Sequence, residues 1–128
     1  MAQLVVDGMN VIGSTPNGWW RDRDGAVRRL LADLQALARA DDEAVVTLAL
    51  DGRPLPDVPE GAHDGVQVVY ARRSGRDAAD DRIVELVAAL AEPADATVIT
   101  SDRALADQVR ALGASVTGAG SLLRRLGR

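Results

Sequence analysis

The sequence predicts an α/β fold: a three-layer α/β/α sandwich around a mostly parallel central sheet of about five strands. Three observations carry this. Short apolar runs without polar alternation recur along the chain, as expected of strands covered on both faces. Segments with helical periodicity lie between them, and glycines and prolines punctuate the joins. The 128 residues suit one domain over 1–128, with no repeat or linker in view.

The first strand lies in the opening run Gln3-Leu4-Val5-Val6 and stops at Asp7-Gly8-Met9-Asn10. In an open parallel sheet Asp7 falls at the carboxyl end, where such sheets place ligands. Gly8 is expected to turn the backbone with positive φ, and Asn10 to offer its amide to the same space. An Asx-type turn is the purely structural use of Asp7 and Asn10. A polar loop from Gly13 to Arg23 holds Trp19 and Trp20, which are read as covering the top of the core, with base stacking as the alternative. A helix is predicted over about Asp24–Ala40, with Val27, Leu30, Leu31, Leu34 and Leu37 on one face.

Ala44–Leu50 reads as a second strand, ending at Asp51-Gly52. Arg53–Gly65 carries three prolines and two glycines and is read as loop. A strand at Val66–Ala71 leads into the arginine-rich turn Arg72–Arg76. The next helix starts near Asp77 or Ala78 and runs to Ala91, with Pro93 just beyond. Ala96–Thr100 is a strand delivering Ser101-Asp102; Arg103–Leu112 is a helix stopped by Gly113. A short strand, Ala114–Thr117, and a final helical turn or two over Gly120–Leu126 complete the chain.

Composition narrows the function. Without cysteine there are neither disulfides nor thiolate metal sites. No run approaches bilayer length and no signal peptide fits the start, so a cytoplasmic protein away from membranes is expected. The net charge of −4 argues against a protein that coats nucleic acid non-specifically. Every strongly basic residue is arginine, whose planar fork suits phosphate, although genome-wide bias gives the same preference.

The carboxylates converge by position. Asp7, Asp51 and Asp102 follow strands, and Asp77, Asp80 and Asp81 open a helix, so a parallel sheet puts them all on one rim. Singly, each has a structural use: Asp102 as a helix cap, the helix-opening acids as partners of the helix dipole at roughly 0.3–1 kcal/mol each, Asp51 as a turn former. Together they are harder to explain, because two carboxylates about 5 Å apart repel by roughly 3 kcal/mol at an effective dielectric near 20. All-oxygen ligation suits Mg²⁺ or Mn²⁺, and such a rim suits phosphodiester hydrolysis without a histidine base. The lone histidine, His63, is read as a bystander in the loop.

The opening Val6-Asp7-Gly8-Met9-Asn10-Val11-Ile12-Gly13, followed by Asp77-Ala78-Ala79-Asp80-Asp81-Arg82-Ile83 and Thr100-Ser101-Asp102, resembles the motifs of the YacP-like NYN-domain proteins of the PIN-like nuclease superfamily. The resemblance spans nearly the whole chain. It implies a PIN-like sandwich and a Mg²⁺- or Mn²⁺-dependent ribonuclease. By the same resemblance Asp7, Asp80 and Asp102 match metal-binding acids, Asn10 the turn asparagine and Asp81 a further acid, while Asp77 and Asp51 are additional acids of looser match. The family generally continues into a charged helical region, whereas this chain stops at Arg128. Some members associate with ribosomes; if the extension serves RNA or ribosome docking, this chain is expected to dock by other surfaces or not at all, and a homodimer is left open.

Arg72, Arg73, Arg76, Arg82 and Arg103 lie near the same rim and are the candidates for gripping RNA phosphates, with pairing to nearby aspartates as the alternative. The expectation is therefore a metal-dependent endoribonuclease acting on RNA. An aspartyl-nucleophile phosphatase is disfavoured, since Met9 stands where a second acid is needed. A non-catalytic NYN-like module binding RNA or a protein partner is the alternative from a different class, and a small PIN toxin is a variant of the leading one.

Overall fold

The computed structural model describes residues 2–73, 75 and 78–127. Strand β1 (Ala2–Asp7) runs directly into a short helix α1 (Gly8–Gly13), then a 3₁₀ turn at Trp19–Arg21 and the long helix α2 (Arg23–Ala40). Next come β2 (Ala44–Leu50), β3 (Gly61–His63), β4 (Val66–Tyr70) and α3 (Ala78–Ala88). A second 3₁₀ turn, Pro93–Asp95, precedes β5 (Ala96–Ile99), α4 (Arg103–Ala111), β6 (Ser115–Thr117) and α5 (Ala119–Arg125).

The six strands form one sheet in the order β3-β4-β2-β1-β5-β6, parallel throughout except for β3. That strand is the addition to the expected five. It lies inside the stretch read as loop and pairs antiparallel with β4, His63 opposite Val66. Asp64 and Gly65, with φ of 46° and 94°, form the two-residue turn between them. Asp-Gly is a strong hairpin signal; the surrounding prolines and glycines obscured it, and three residues are too few to display a period.

The apolar runs are covered on both faces because alternate residues feed two cores. Leu4, Val6, Leu48 and Val68 pack under α1, α2 and α5 with Ile12, Leu30, Leu34 and Leu122. Val5, Ala49, Val69 and Val98 pack under α3 and α4 with Ile83, Val87, Leu105 and Val109. Helix α2 begins one residue earlier than its apolar stripe suggests, because the Asp22 carboxylate accepts the Gly25 N–H at 3.0 Å as its cap.

Gly8 corrects a second expectation. It opens α1 and is absent from the positive-φ residues, so no left-handed turn is needed there. What requires glycine is space: a Cβ would lie 2.7 Å from Leu50 Cδ2 and 2.9 Å from the Ala49 carbonyl. The smallest residue thus lets α1 start against β2, immediately after Asp7.

The connections place the site. From β1 the chain builds outward through β2 to β4, then returns to lay β5 on the other side of β1. The carboxyl ends of β1 and β5 therefore flank the point where strand order reverses, the crevice that open α/β sheets use for ligands. Among the described residues no helix is long and apolar enough to cross a membrane.

Candidate active site

Asp7 is the last residue of β1, paired in register with Ala49 of β2, and only 5% exposed. Burial is the main reason its carboxyl is pushed up from 3.8 to about 6. The Thr100 hydroxyl, donating to Asp7 Oδ2 at 2.8 Å, opposes that shift. The charges of Asp102 and then Asp51 raise the value further, and the Asn10 backbone N–H lowers it a little without making a full capping bond. Asp7 is thus a buried acid under the charge of two further acids that follow strands.

Thr100 was missed as a site residue and is its keystone. It follows β5, is buried, and links two acids: its Oγ1 donates to Asp7 and accepts the Asp102 N–H at 3.1 Å. Asn10 completes the lock differently from expectation. Its amide oxygen accepts the Ser101 N–H at 2.8 Å, so it ties α1 to the loop after β5. The Ser101 hydroxyl in turn accepts the Ala119 N–H at 3.1 Å, seating the start of α5. The only sequence signal for these roles is the Thr100-Ser101-Asp102 run itself.

Asp102 takes the capping use weighed for it. Its Oδ1 caps α4, accepting from Ala104 N at 2.9 Å and Leu105 N at 3.2 Å. Its Oδ2 takes no hydrogen bond among the described residues, and the residue is half-buried. One oxygen fixes the side chain and the other stays available at the rim. Asp51 is held by a residue the sequence did not single out: Arg23 Nη2 donates to its carbonyl at 2.6 Å and to its Oδ1 at 3.1 Å.

The helix-opening acids divide. Asp80 is half-buried in the first turn of α3, beside the buried Ala78 and Ala79. Asp81 is exposed and engaged by Arg73 at 2.9 Å. Asp77 and Arg76 lie outside the described residues. Of the arginines proposed for phosphate, Arg72 grips Glu85 at 3.0 Å, and Arg82 reaches Glu60 at 3.5 Å and the Tyr70 carbonyl at 3.3 Å. Arg103, exposed at the start of α4 beside Asp102, is the one of the described four without an ion pair among the described residues. Among the described residues no group of three or more histidine, aspartate or glutamate side chains is placed to hold a metal ion.

His63 is spent locally, its Nε2 lying 2.6 Å from the Pro59 carbonyl. Tyr70 is structural too: its hydroxyl donates to the Val58 carbonyl at 2.6 Å and accepts the Leu55 N–H at 3.3 Å, pinning the proline-rich loop. The two tryptophans part company, Trp19 packing against the core and Trp20 standing 59% exposed.

This arrangement matches known proteins. The YacP-like NYN domain family model covers residues 4–128, and the chain belongs to that family. Two solved structures are similar to it: crystal structures of Rae1 (YacP) from Bacillus subtilis, one of them a variant with a tryptophan replaced by leucine. Each has a TM-score of 0.78 and 25% identity over 99% of this chain, and the match covers 76% of the variant's chain and 74% of the other. Among the curated proteins none matches this chain. The family and the fold are nuclease-like.

Proposed function

We propose that the protein is a metal-dependent endoribonuclease, hydrolysing RNA phosphodiester bonds at the rim formed by Asp7, Asp80 and Asp102. The observation that carries this is Asp7, a buried acid raised to about 6 with two more acids bearing on it and no cationic side chain among the causes. A divalent cation answers that imbalance.

The donor chemistry fits Mg²⁺ or Mn²⁺, both of which take oxygen ligands. Mg²⁺ commonly uses one or two carboxylates and fills its remaining positions with water and substrate phosphate, so Asp7 and the open Oδ2 of Asp102 make an adequate protein share, and Asp80, in the first turn of α3, is proposed as a further acid. A bound ion would supply charge stabilisation at the phosphate and favour ionisation of water. The chain's own contribution is positioning. Thr100 holds the Asp7 carboxylate and the Asp102 backbone together, and Asn10 fixes the loop carrying Thr100 and Asp102. Arg103, exposed beside Asp102, is placed for a flanking phosphate. Arg72 and Arg73 are minor, exchangeable contributors, because their exposed ion pairs are weak enough to trade a carboxylate for a phosphate, whereas Arg82, mostly buried and bonded to the Tyr70 carbonyl, is held in place.

The alternative, a non-catalytic NYN-like RNA- or partner-binding module, draws on the lack of a three-acid cluster among the described residues. Incubation of a fluorogenic single-stranded RNA with wild type in Mn²⁺, Mg²⁺ or EDTA separates the two. Cleavage with metal and none in EDTA supports the nuclease; RNA binding with no cleavage in any buffer supports the module.

A further inference from the structure

The 3₁₀ turn between α1 and α2 presents Trp20 to solvent while its neighbour is tucked away. Trp19 packs on the core and meets Trp20 edge-on, ring centroids 6.1 Å apart and planes at 86°. The Arg21 guanidinium carbon stands 5.9 Å from the Trp20 ring centroid. These contacts hold the indole upright and leave it 59% exposed. An aromatic ring in water with no structural partner for most of its surface is available to a ligand.

The surroundings say which ligand. Two residues beyond Arg21, Arg23 opens α2 and bonds Asp51, whose charge reaches Asp7. An open groove of about 350 Å³ begins at Arg23, lined by Arg23, Asp24, Arg53, Pro54, Leu55 and Pro56. Arg53 is exposed and has no ion pair among the described residues. Trp20 and Leu112 are the only large apolar residues exposed among those described, so there is no contiguous apolar patch of the kind a protein partner covers. An isolated aromatic with Arg21 against its ring, and with Arg23 and Arg53 on the groove that begins three residues on, instead matches a strand of nucleic acid: base on ring, phosphates on guanidinium groups.

We infer that Trp20 is a stacking platform for an unpaired base of a single-stranded RNA, whose phosphates follow Arg21 and Arg53 toward the rim at Asp51 and Asp7. The inference rests on the RNA reading of the same site and names its substrate class. It makes Trp20 a substrate-positioning residue outside the acidic cluster.

The test is binding in EDTA, so that no cleavage is needed to read it. Wild type, Trp20→Ala and Trp20→Phe are titrated with a labelled single-stranded RNA ten-mer and with an abasic ribose-phosphate ten-mer. Wild type binds the base-bearing strand more tightly than the abasic one. Trp20→Ala weakens the base-bearing strand by about ten-fold or more, leaves the abasic strand unchanged, and Trp20→Phe recovers most of the loss. Equal binding of both strands by wild type, or Trp20→Ala binding RNA as wild type does, overturns the inference and leaves the ring as a protein contact. Absence of RNA binding by wild type overturns it as well. Failure of the nuclease reading is seen separately, as RNA bound but uncut when Mn²⁺ is restored.

Discussion

Two acidic regions of this molecule are built from the same residue type and are electrostatically opposite. At the carboxyl ends of β1 and β5, Asp7 and Asp102 share Thr100 as a hydrogen-bond partner, and no cationic side chain is among the causes that set the Asp7 pKa. At the entrance to α3, Arg73 meets Asp81 and Arg72 meets Glu85 in exposed pairs. Each of these two described pairs is balanced by its own arginine. The first region holds an acid against its preference, and such an imbalance marks a candidate functional site.

The largest effect that distinguishes them is on chemistry. Asp7→Asn is expected to reduce RNA cleavage at least roughly a hundred-fold, since a metal site contributes several kcal/mol to such reactions. Arg73→Ala, at the balanced region, is expected to leave cleavage within a few-fold. Single-turnover assays of both variants beside wild type check this.

Stability against pH sharpens the contrast. The folded pKa of Asp7, about 6, exceeds its unreacted value of 3.8, so the folded state binds its proton more tightly than the unfolded chain does. Its contribution is fully present below about 3.8 and is lost as pH rises through 6, up to about 3 kcal/mol in metal-free buffer. Urea denaturation across that window reads the loss as the difference between wild type and Asp7→Asn. The variant lacks this slope, so metal-free at neutral pH it is the more stable of the two.

Thr100→Val is expected to cost about 1–3 kcal/mol, because it leaves the buried Asp7 oxygen and the Asp102 N–H without their partner. It also removes the hydrogen bond that holds the Asp7 pKa down, so that pKa climbs further. Thermal melts and carboxyl-carbon NMR titration measure the two consequences. Smallest is Arg73→Ala on stability, within about 0.5 kcal/mol by the same melts, because its pair with Asp81 is exposed on both sides.

The comparison also explains what could be read in advance. Strands such as Val46–Leu50 were legible because burial on both faces writes an unbroken apolar run, and Asp7 and Asp102 because each directly follows such a run or its short extension. The hairpin at β3 was written in Asp64-Gly65, yet three residues show no period. Helical spacing put Asp80 and Asp81 together in the first turn of α3, but spacing cannot say that Arg73, eight residues earlier, claims Asp81. Nor could it find Arg23 on Asp51, a contact across 28 residues with no pattern between them. Thr100 looked like the tail of a strand; only the register of β5 beside β1 shows its hydroxyl reaching Asp7. Local physics is legible in sequence, and long-range polar partners are not.

The most direct measurement is calorimetric titration of Mn²⁺ into wild type and Asp7→Asn at neutral pH, without RNA. The account predicts that wild type binds Mn²⁺ and that Asp7→Asn, folded and at least as stable, does not. Failure of wild type to bind, or equal binding by the folded variant, would contradict the claim that the unbalanced acids at the ends of β1 and β5 are a metal-holding site.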